Sequence, residues 1–172
     1  TRPVPGYDIR VLDDDGHEVG PDDIGNIVIR LPLPPGTLPT LWHNDAGYEK
    51  AYLRRFPGYY LTGDAGYRDV DGYFYVMSRM DDIIKSRGEK VAPKEVEAAI
   101  YNIAGVKECA VVGVEDAILG QAVKAFVVLE AGVTMVDKQI IFECQQRLEN
   151  FMVPKFVEFV PELPKTTTGK IK

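Results

Sequence analysis

The sequence predicts an α+β fold, in which a short β-rich N-terminal segment precedes a small C-terminal domain of two helices and a mixed sheet. Three observations support this prediction. Short β-branched runs separated by turn residues dominate the first part of the chain, two helical hydrophobic patterns follow, and strand-like runs flank both. The expected domains are residues 1–80 and 81–172.

The β-rich segment begins with a predicted hairpin. Residues 7–12 and 26–31 alternate like strands, and the Asp13-Asp14-Asp15-Gly16 stretch between them is typical of a tight turn. Residues 73–78 read as a further strand after the Asp71-Gly72 turn. Together these runs predict an all-β portion that ends near residue 80.

Residues 31–47 interrupt this β pattern. Prolines stand at positions 32, 34, 35 and 39, and a proline cannot donate to a strand ladder. We therefore expect an irregular surface connection here.

A helix beginning at Pro93 is the strongest pattern in the C-terminal part. Proline suits the first helical position, and acidic residues favour the first turn. The predicted inward face consists of Val96, Ala99, Ile100 and Ile103.

The remaining pattern of the C-terminal part is strand, strand, helix, strand. Residues 107–114 and 122–129 are strand candidates, residues 136–150 form a predicted helix capped by Thr134, and residues 156–160 form a closing strand. The inward residues of this second helix are expected to be Ile140, Ile141, Cys144 and Leu148.

Composition excludes several classes of function. A net charge of −6 and a pI near 5.0 argue against nucleic-acid binding. Cys109 and Cys144 lie in apolar patterns without metal-ligand spacing, which predicts buried reduced thiols of a cytoplasmic protein. No apolar run is long enough to suggest membrane insertion, and no metal site is predicted.

Asp64 and Arg79 are candidates for ligand binding. Asp64 follows a glycine, and a carboxylate held on a turn can accept two hydrogen bonds from a vicinal diol such as that of ribose. A return strand could bring Arg79 beside it. The alternatives are an Asx-type turn for Asp64 and a surface position for Arg79.

Three further segments could contribute. Asp81 and Asp82 stand where the two domains join, and a hinge is a better interpretation than a metal site, because neighbours on an extended chain point to opposite faces. Gly88, in the segment 86–90, either allows backbone to approach a ligand or occupies a turn. Lys170 is either a cation that reaches an active site or a solvated terminal lysine.

Four motifs, taken in order, resemble those of the adenylate-forming enzymes, particularly acyl-CoA synthetases for short acids and general acyl-CoA ligases. They are Tyr-Leu-Thr-Gly-Asp at 60–64, Ser-Arg-Met-Asp-Asp at 78–82, Ser-Arg-Gly-Glu-Lys-Val at 86–91 and Thr-Gly-Lys at 168–170. The resemblance covers essentially the whole chain.

The resemblance implies a role for each motif. Asp64 would bind the ribose hydroxyls, Arg79 the ribose and nearby phosphate oxygens, and Asp81 would be the hinge. Lys170 would stabilise the charge that develops during adenylation. The remaining implied residues, which would face coenzyme A or phosphate, are Arg87, Gly88, Glu89 and Lys90.

The resemblance also implies ATP, coenzyme A and a small carboxylic acid as ligands, with Mg²⁺ bound by residues outside this chain. The family's phosphate loop and acyl pocket would lie in a missing N-terminal domain, so the chain is expected to be an inactive fragment alone. Two alternatives remain: an adenylation domain that loads a carrier protein, and a non-catalytic module of the same fold.

Overall fold

The computed structural model describes residues 1–167 and residue 171. The chain divides into two compact units, Thr1–Asp81 and Asp82–Lys172. Each unit has its own sheet, and helices accompany both sheets, so the predicted α+β class is confirmed. Within the described residues, no helix is both long enough and apolar enough to cross a membrane.

The first unit is built on a four-stranded antiparallel sheet with the strand order β1-β2-β3-β4. The strands are β1 (Ile9–Leu12), β2 (Gly25–Arg30), β3 (Tyr59–Arg68) and β4 (Phe74–Arg79). One cluster of buried apolar side chains supports the sheet, formed by Leu12, Val28, Phe56 and Leu61. The predicted strands at 7–12, 26–31 and 73–78 are therefore confirmed, with shifts at their ends.

Asp13 fixes the predicted turn after β1. Its Oδ1 accepts hydrogen bonds from the backbone amides of Asp15 and His17, both at 2.9 Å. These bonds hold the pKa of Asp13 below its ordinary value, with the amide of His17 as the largest cause. The Asp13 carboxylate thus accepts hydrogen bonds from two backbone amides of the turn, which have no partner strand there to bond.

The prediction of an irregular connection over residues 31–47 is wrong for its last three residues, 45–47. A short helix α1 (Asp45–Tyr48) begins there and continues as a π-helical turn, Glu49–Leu53. Asn44 starts α1, because its side-chain oxygen accepts from the Gly47 amide at 3.0 Å. Pro39 is the last proline of this stretch, and residues 40–53 contain none that would prevent a helix.

The second unit has a five-stranded sheet with the order β6-β5-β8-β7, and β9 pairs in parallel with β8. Its elements are β5 (Ile84–Ser86), β6 (Glu89–Val91), α2 (Pro93–Tyr101), β7 (Val106–Asp116), β8 (Gly120–Leu129), α3 (Asp137–Gln145) and β9 (Phe156–Phe159). The order predicted from α2 onward is confirmed. The hairpin of β5 and β6 was not predicted, because three-residue strands with lysine and glutamate give little hydrophobic signal.

The predicted inward face of α2 is confirmed, since Val96, Ala99, Ile100 and Ile103 are all buried. The second helix differs from its prediction. It begins at Asp137 and ends at Gln145, and Thr134 does not cap it; instead, the side-chain oxygen of Gln139 accepts from the Val136 amide at 2.9 Å. A glutamine reaching back to the first turn satisfies the same need as a threonine cap.

The inward residues of α3 are confirmed in part. Ile140 and Cys144 are fully buried, whereas Ile141 and Leu148 are only partly buried. Cys109 and Cys144 are both free and buried, as predicted. Burial raises the pKa of Cys109 to about 12 and that of Cys144 to about 11, so both stay thiols at neutral pH.

Candidate functional site

Asp64 and Arg79 face each other across β3 and β4. They are register partners, and Arg79 Nη1 donates to Asp64 Oδ1 at 2.9 Å. The prediction that a return strand brings Arg79 beside Asp64 is confirmed. The predicted turn around Asp64 is wrong, because the residue lies within the ten-residue strand β3.

The backbone conformation of Gly63 explains why the Thr62-Gly63-Asp64 segment was predicted to be a turn. It lies inside β3 with a φ of +80°, in the left-handed region that favours glycine. The guanidinium of Arg79 lies over it, and a Cβ at this position would come within 3.0 Å of Arg79 Cζ. A glycine here therefore allows both the local bend of the strand and the close approach of Arg79.

The Asp64–Arg79 pair is open to solvent, with 35% of the aspartate side chain and 60% of the arginine side chain exposed. Exposed ion pairs contribute only about 0–1 kcal/mol to stability. Within the described residues, no partner bonds the second carboxylate oxygen, Oδ2. The pair thus offers a ligand one acceptor oxygen beside a guanidinium.

A cleft of about 310 Å³ lies beside this pair in the first unit. It is lined by Ala51, Tyr52, Arg55, Leu61, Thr62, Gly63, Arg79, Met80 and Asp81. The sequence analysis missed Tyr52 and Arg55, which come from the unpredicted π-helical turn and the residues after it. Their signal was the Asn44 cap, which predicts a helix start shortly before them.

Tyr52 is held against the sheet by stacking on Tyr60. The two rings are 5.1 Å apart and nearly parallel, at 6°. Burial, followed by the nearby Tyr52 and Tyr48, raises the pKa of Tyr60 above its ordinary value. The cleft therefore combines an aromatic wall with arginine side chains and one exposed aspartate, Asp81.

Asp81 is the last residue of the first unit and lies in the short 3₁₀ turn Met80–Asp82. The predicted hinge residue thus stands where the chain passes from one unit to the other. Among the described residues, no cluster of histidine, cysteine, aspartate or glutamate side chains could hold a metal ion.

The segment 86–90 forms the tip of the β5–β6 hairpin in the second unit. Ser86 pairs with Glu89, and the two residues between them, Arg87 and Gly88, have φ values of +57° and +86°. This is the conformation of a tight two-residue hairpin turn. Of the two interpretations of Gly88, the turn therefore describes its local conformation.

The tip of this hairpin is well anchored and accessible. The Arg87 amide donates to the Leu119 carbonyl at 3.0 Å, which ties the tip to the neighbouring hairpin of β7 and β8. Arg87, Gly88 and Glu89 are exposed, and Lys90 is half-buried. Lys170, the predicted catalytic residue, lies outside the described residues.

Comparison with known proteins gives consistent matches. Residues 95–170 match the family model of the AMP-binding enzyme C-terminal domain. Acyl-CoA synthetase short-chain family member 3, mitochondrial, of Rattus norvegicus is 40% identical over 172 residues, which are 98% of this chain and 25% of that protein. 4-hydroxybutyrate–CoA ligase 1 of Metallosphaera sedula is 43% identical over 178 residues, which are 99% of this chain and 30% of that protein.

Solved structures give the same result. ATP-bound MatB from Rhodopseudomonas palustris superposes with a TM-score of 0.82 at 33% identity, over 99% of this chain and 33% of that one. The chain therefore has the fold of the C-terminal part of adenylate-forming enzymes.

Residues 95–170 therefore match the C-terminal domain of AMP-binding enzymes, and the whole chain is similar to the C-terminal portion of acyl-CoA synthetases. It spans about a quarter of the length of the rat relative, with 25% of that protein covered. The resemblance inferred from the four sequence motifs is thus confirmed.

Proposed function

We propose that this chain is the C-terminal part of an AMP-forming acyl-CoA synthetase. Such an enzyme joins a small carboxylic acid to coenzyme A and converts ATP to AMP and pyrophosphate. The observation that carries the proposal is the Asp64–Arg79 pair, held at 2.9 Å beside a cleft with one carboxylate oxygen directed to no described residue.

In this proposal Asp64 accepts hydrogen bonds from the ribose hydroxyls of the nucleotide. A carboxylate oxygen can accept from a vicinal diol, and the hydrogen bond from the guanidinium of Arg79 orients the carboxylate. Arg79 retains further N–H donors for ribose or phosphate oxygens, since its hydrogen bonds to described residues use Nη1. The similarity to ATP-bound MatB supports ATP as the nucleotide.

We further propose that residues 1–80 complete a large AMP-binding domain and that residues 81–172 form a small domain that rotates about Asp81. Rotation would exchange Lys170 for the hairpin residues Arg87, Gly88, Glu89 and Lys90 at the active site. Lys170 would stabilise the charge that develops between the acid and the α-phosphate. The hairpin residues would line the approach of coenzyme A.

The chain alone would be inactive, because the phosphate loop, the acyl pocket and the Mg²⁺ ligands would come from a preceding N-terminal domain. The cytoplasmic location stays a prediction, and the rat relative is named as mitochondrial.

The central test replaces Lys170 in the complete protein. Lys170→Ala should reduce adenylate formation, measured by ATP–pyrophosphate exchange, by roughly a hundredfold or more, the size seen when one transition-state donor is removed. Thioester formation from supplied acyl-adenylate should be spared. Lys172→Ala, a lysine two positions away, is the matched control and should leave both reactions unchanged.

The same assay separates the alternatives. Equal activity of Lys170→Ala and the unaltered protein would favour a non-catalytic module of this fold. Acyl transfer to a carrier protein, without transfer to free coenzyme A, would identify a carrier-loading adenylation domain instead. Both relatives described above are named for coenzyme A chemistry, which favours the synthetase.

A further inference from the structure

The pairing of β3 with β2 is interrupted at residues 62–64, which include Asp64. Along the β2–β3 pair, the register steps from Asn26↔Ala65 to Val28↔Leu61, so Ile27 alone stands opposite three residues of β3. On the β2 side these residues lack regular ladder partners, whereas Asp64 keeps Arg79 as its register partner on β4. Toward β2, the position of Asp64 must therefore be fixed by other bonds.

The hydroxyl group of Thr62 spans this interruption. Thr62 Oγ1 donates to the Ile27 carbonyl at 2.7 Å and accepts from the Asp64 amide at 3.1 Å. A threonine hydroxyl has one hydrogen to donate, and here both its donor and an acceptor position are used within the sheet. The group thus ties the backbone of Asp64 to the neighbouring strand β2.

The carbonyl of Thr62 also contacts the other half of the pair. It accepts from Arg79 Nη1 at 3.4 Å, and the same Nη1 atom donates to Asp64 Oδ1 at 2.9 Å. Gly63, which lies between Thr62 and Asp64, has no side chain with which to hold the bend. Thr62 is therefore bonded to both members of the pair.

We propose that Thr62 is a positioning residue, whose hydroxyl fixes the Asp64–Arg79 pair in the geometry that binds the nucleotide. The inference rests on the proposed nucleotide-binding role of that pair and adds the residue that orients it. Thr62 touches no reacting atom in this proposal and acts through Asp64. The simpler interpretation is that its hydroxyl only stabilises the sheet, and the two interpretations predict different kinetics.

The test compares Thr62→Val with Thr62→Ser in the complete protein. Valine keeps the branched shape and removes the hydroxyl, whereas serine keeps the hydroxyl. We expect Thr62→Val to raise the KM for ATP about three- to tenfold, the effect of losing roughly one hydrogen bond. Thr62→Ser should stay near the unaltered value, and urea unfolding of each variant measures any loss of stability separately.

A double-mutant cycle with Asp64→Asn shows whether Thr62 acts through Asp64. Asp64→Asn alone should raise the KM for ATP, and adding Thr62→Val should then cause little further rise. If Thr62→Val fails to fold, Thr62→Ala, which also lacks the hydroxyl, takes its place in the cycle.

Three results would overturn the inference. The first is an unchanged KM in Thr62→Val or Thr62→Ala, and the second is an equal rise in KM with and without Asp64→Asn. The third is an unchanged KM in Asp64→Asn itself, which would overturn the proposed ribose role as well. The first two leave that role intact, so the two failures are distinguishable.

Discussion

The two units of the chain support their sheets in different ways. The second unit buries a broad apolar cluster, to which both of its helices contribute fully buried residues such as Val96, Ile100 and Ile140. The first unit has a smaller cluster and adds polar ties: the buried Asn26 side chain donates to the Leu12 carbonyl at 3.1 Å, and Thr62 donates to Ile27 at 2.7 Å. Apolar burial is non-directional, whereas a hydrogen bond fixes an orientation.

This difference corresponds to the candidate binding residues that each unit positions. Polar ties occur in the first unit where the strands are irregular and where the Asp64–Arg79 pair must keep its direction. The second unit holds its Arg87–Gly88 turn mainly by regular hairpin pairing above an apolar core. We therefore expect core truncations to act mostly on stability in the second unit, and changes at the irregular strand to act also on binding in the first.

The largest expected effect is on the core of the second unit. Ile100→Ala should lower the free energy of unfolding by about 2–5 kcal/mol, because the side chain is fully buried and a cavity would remain. Ile118→Ala is the matched control, since that side chain is 89% exposed, and it should change stability by less than about 0.5 kcal/mol. Urea unfolding of both variants measures the difference, and similar losses would contradict the core described above.

Two glycines with similar backbone conformations provide the next comparison. Gly63→Ala should cost about 1–3 kcal/mol, because its φ of +80° is unfavourable for alanine and the Arg79 guanidinium must also move. Gly88→Ala should cost about 1 kcal/mol, since its φ is +86° but the space around a Cβ is open.

The same two variants distinguish binding from stability. Gly63→Ala should also raise the KM for ATP in the complete protein, because displacing Arg79 disturbs Asp64. Gly88→Ala should leave this KM unchanged while the fold is intact. If only Gly88→Ala raised the KM for ATP, the β5–β6 hairpin, and not the strand around Gly63, would be the part that affects ATP binding.

The smallest expected effect concerns a polar tie in the second unit. Lys155, with the backbone amides of Ile118 and Leu119, lowers the pKa of Asp116 to about 2. A lowered pKa in the folded state means that the charged form stabilises the fold above the ordinary pKa near 3.8, and that this contribution is lost as pH falls toward 2.

Asp116→Asn keeps an oxygen for the two amides but removes the charge. The variant should melt below the unaltered protein at pH 6, and the difference should shrink between pH 4 and pH 2. Asp15→Asn is the control: the Asp15 side chain is exposed and has no bond within the described part of the chain, so its difference should stay near zero. A difference for Asp116→Asn that is constant with pH would show that its charge does not contribute.

Much of the fold could be predicted because a long helix or strand repeats its hydrophobic pattern often enough to be recognised in the sequence. The spacing of Val96, Ala99 and Ile100 predicted the face of α2, and the β-branched runs predicted β7 and β8. The hairpin of β5 and β6 escaped prediction because each strand has three residues, too few for a period to emerge. Helix α1 escaped because the prolines before it dominated the interpretation.

The pairing of Asp64 with Arg79 was predicted, but the local structure around it and the cleft residues Tyr52 and Arg55 were not. Hairpin spacing was enough to pair Asp64 with Arg79, since antiparallel neighbours return to the same edge. The Thr-Gly-Asp stretch looked like a turn because Gly63 has a turn conformation inside a strand. The role of Thr62 depends on a register step between two strands far apart in sequence, which no local pattern reveals.

The two buried cysteines provide a chemical reporter of motion. The sequence contains only these two thiols, and both lie in the core of the second unit, with 1% and 0% of their surfaces exposed. Alkylating reagents attack the thiolate, so labelling of Cys109 and Cys144 requires that core to open. The rate of alkylation would therefore report the opening of the second unit without any engineered probe.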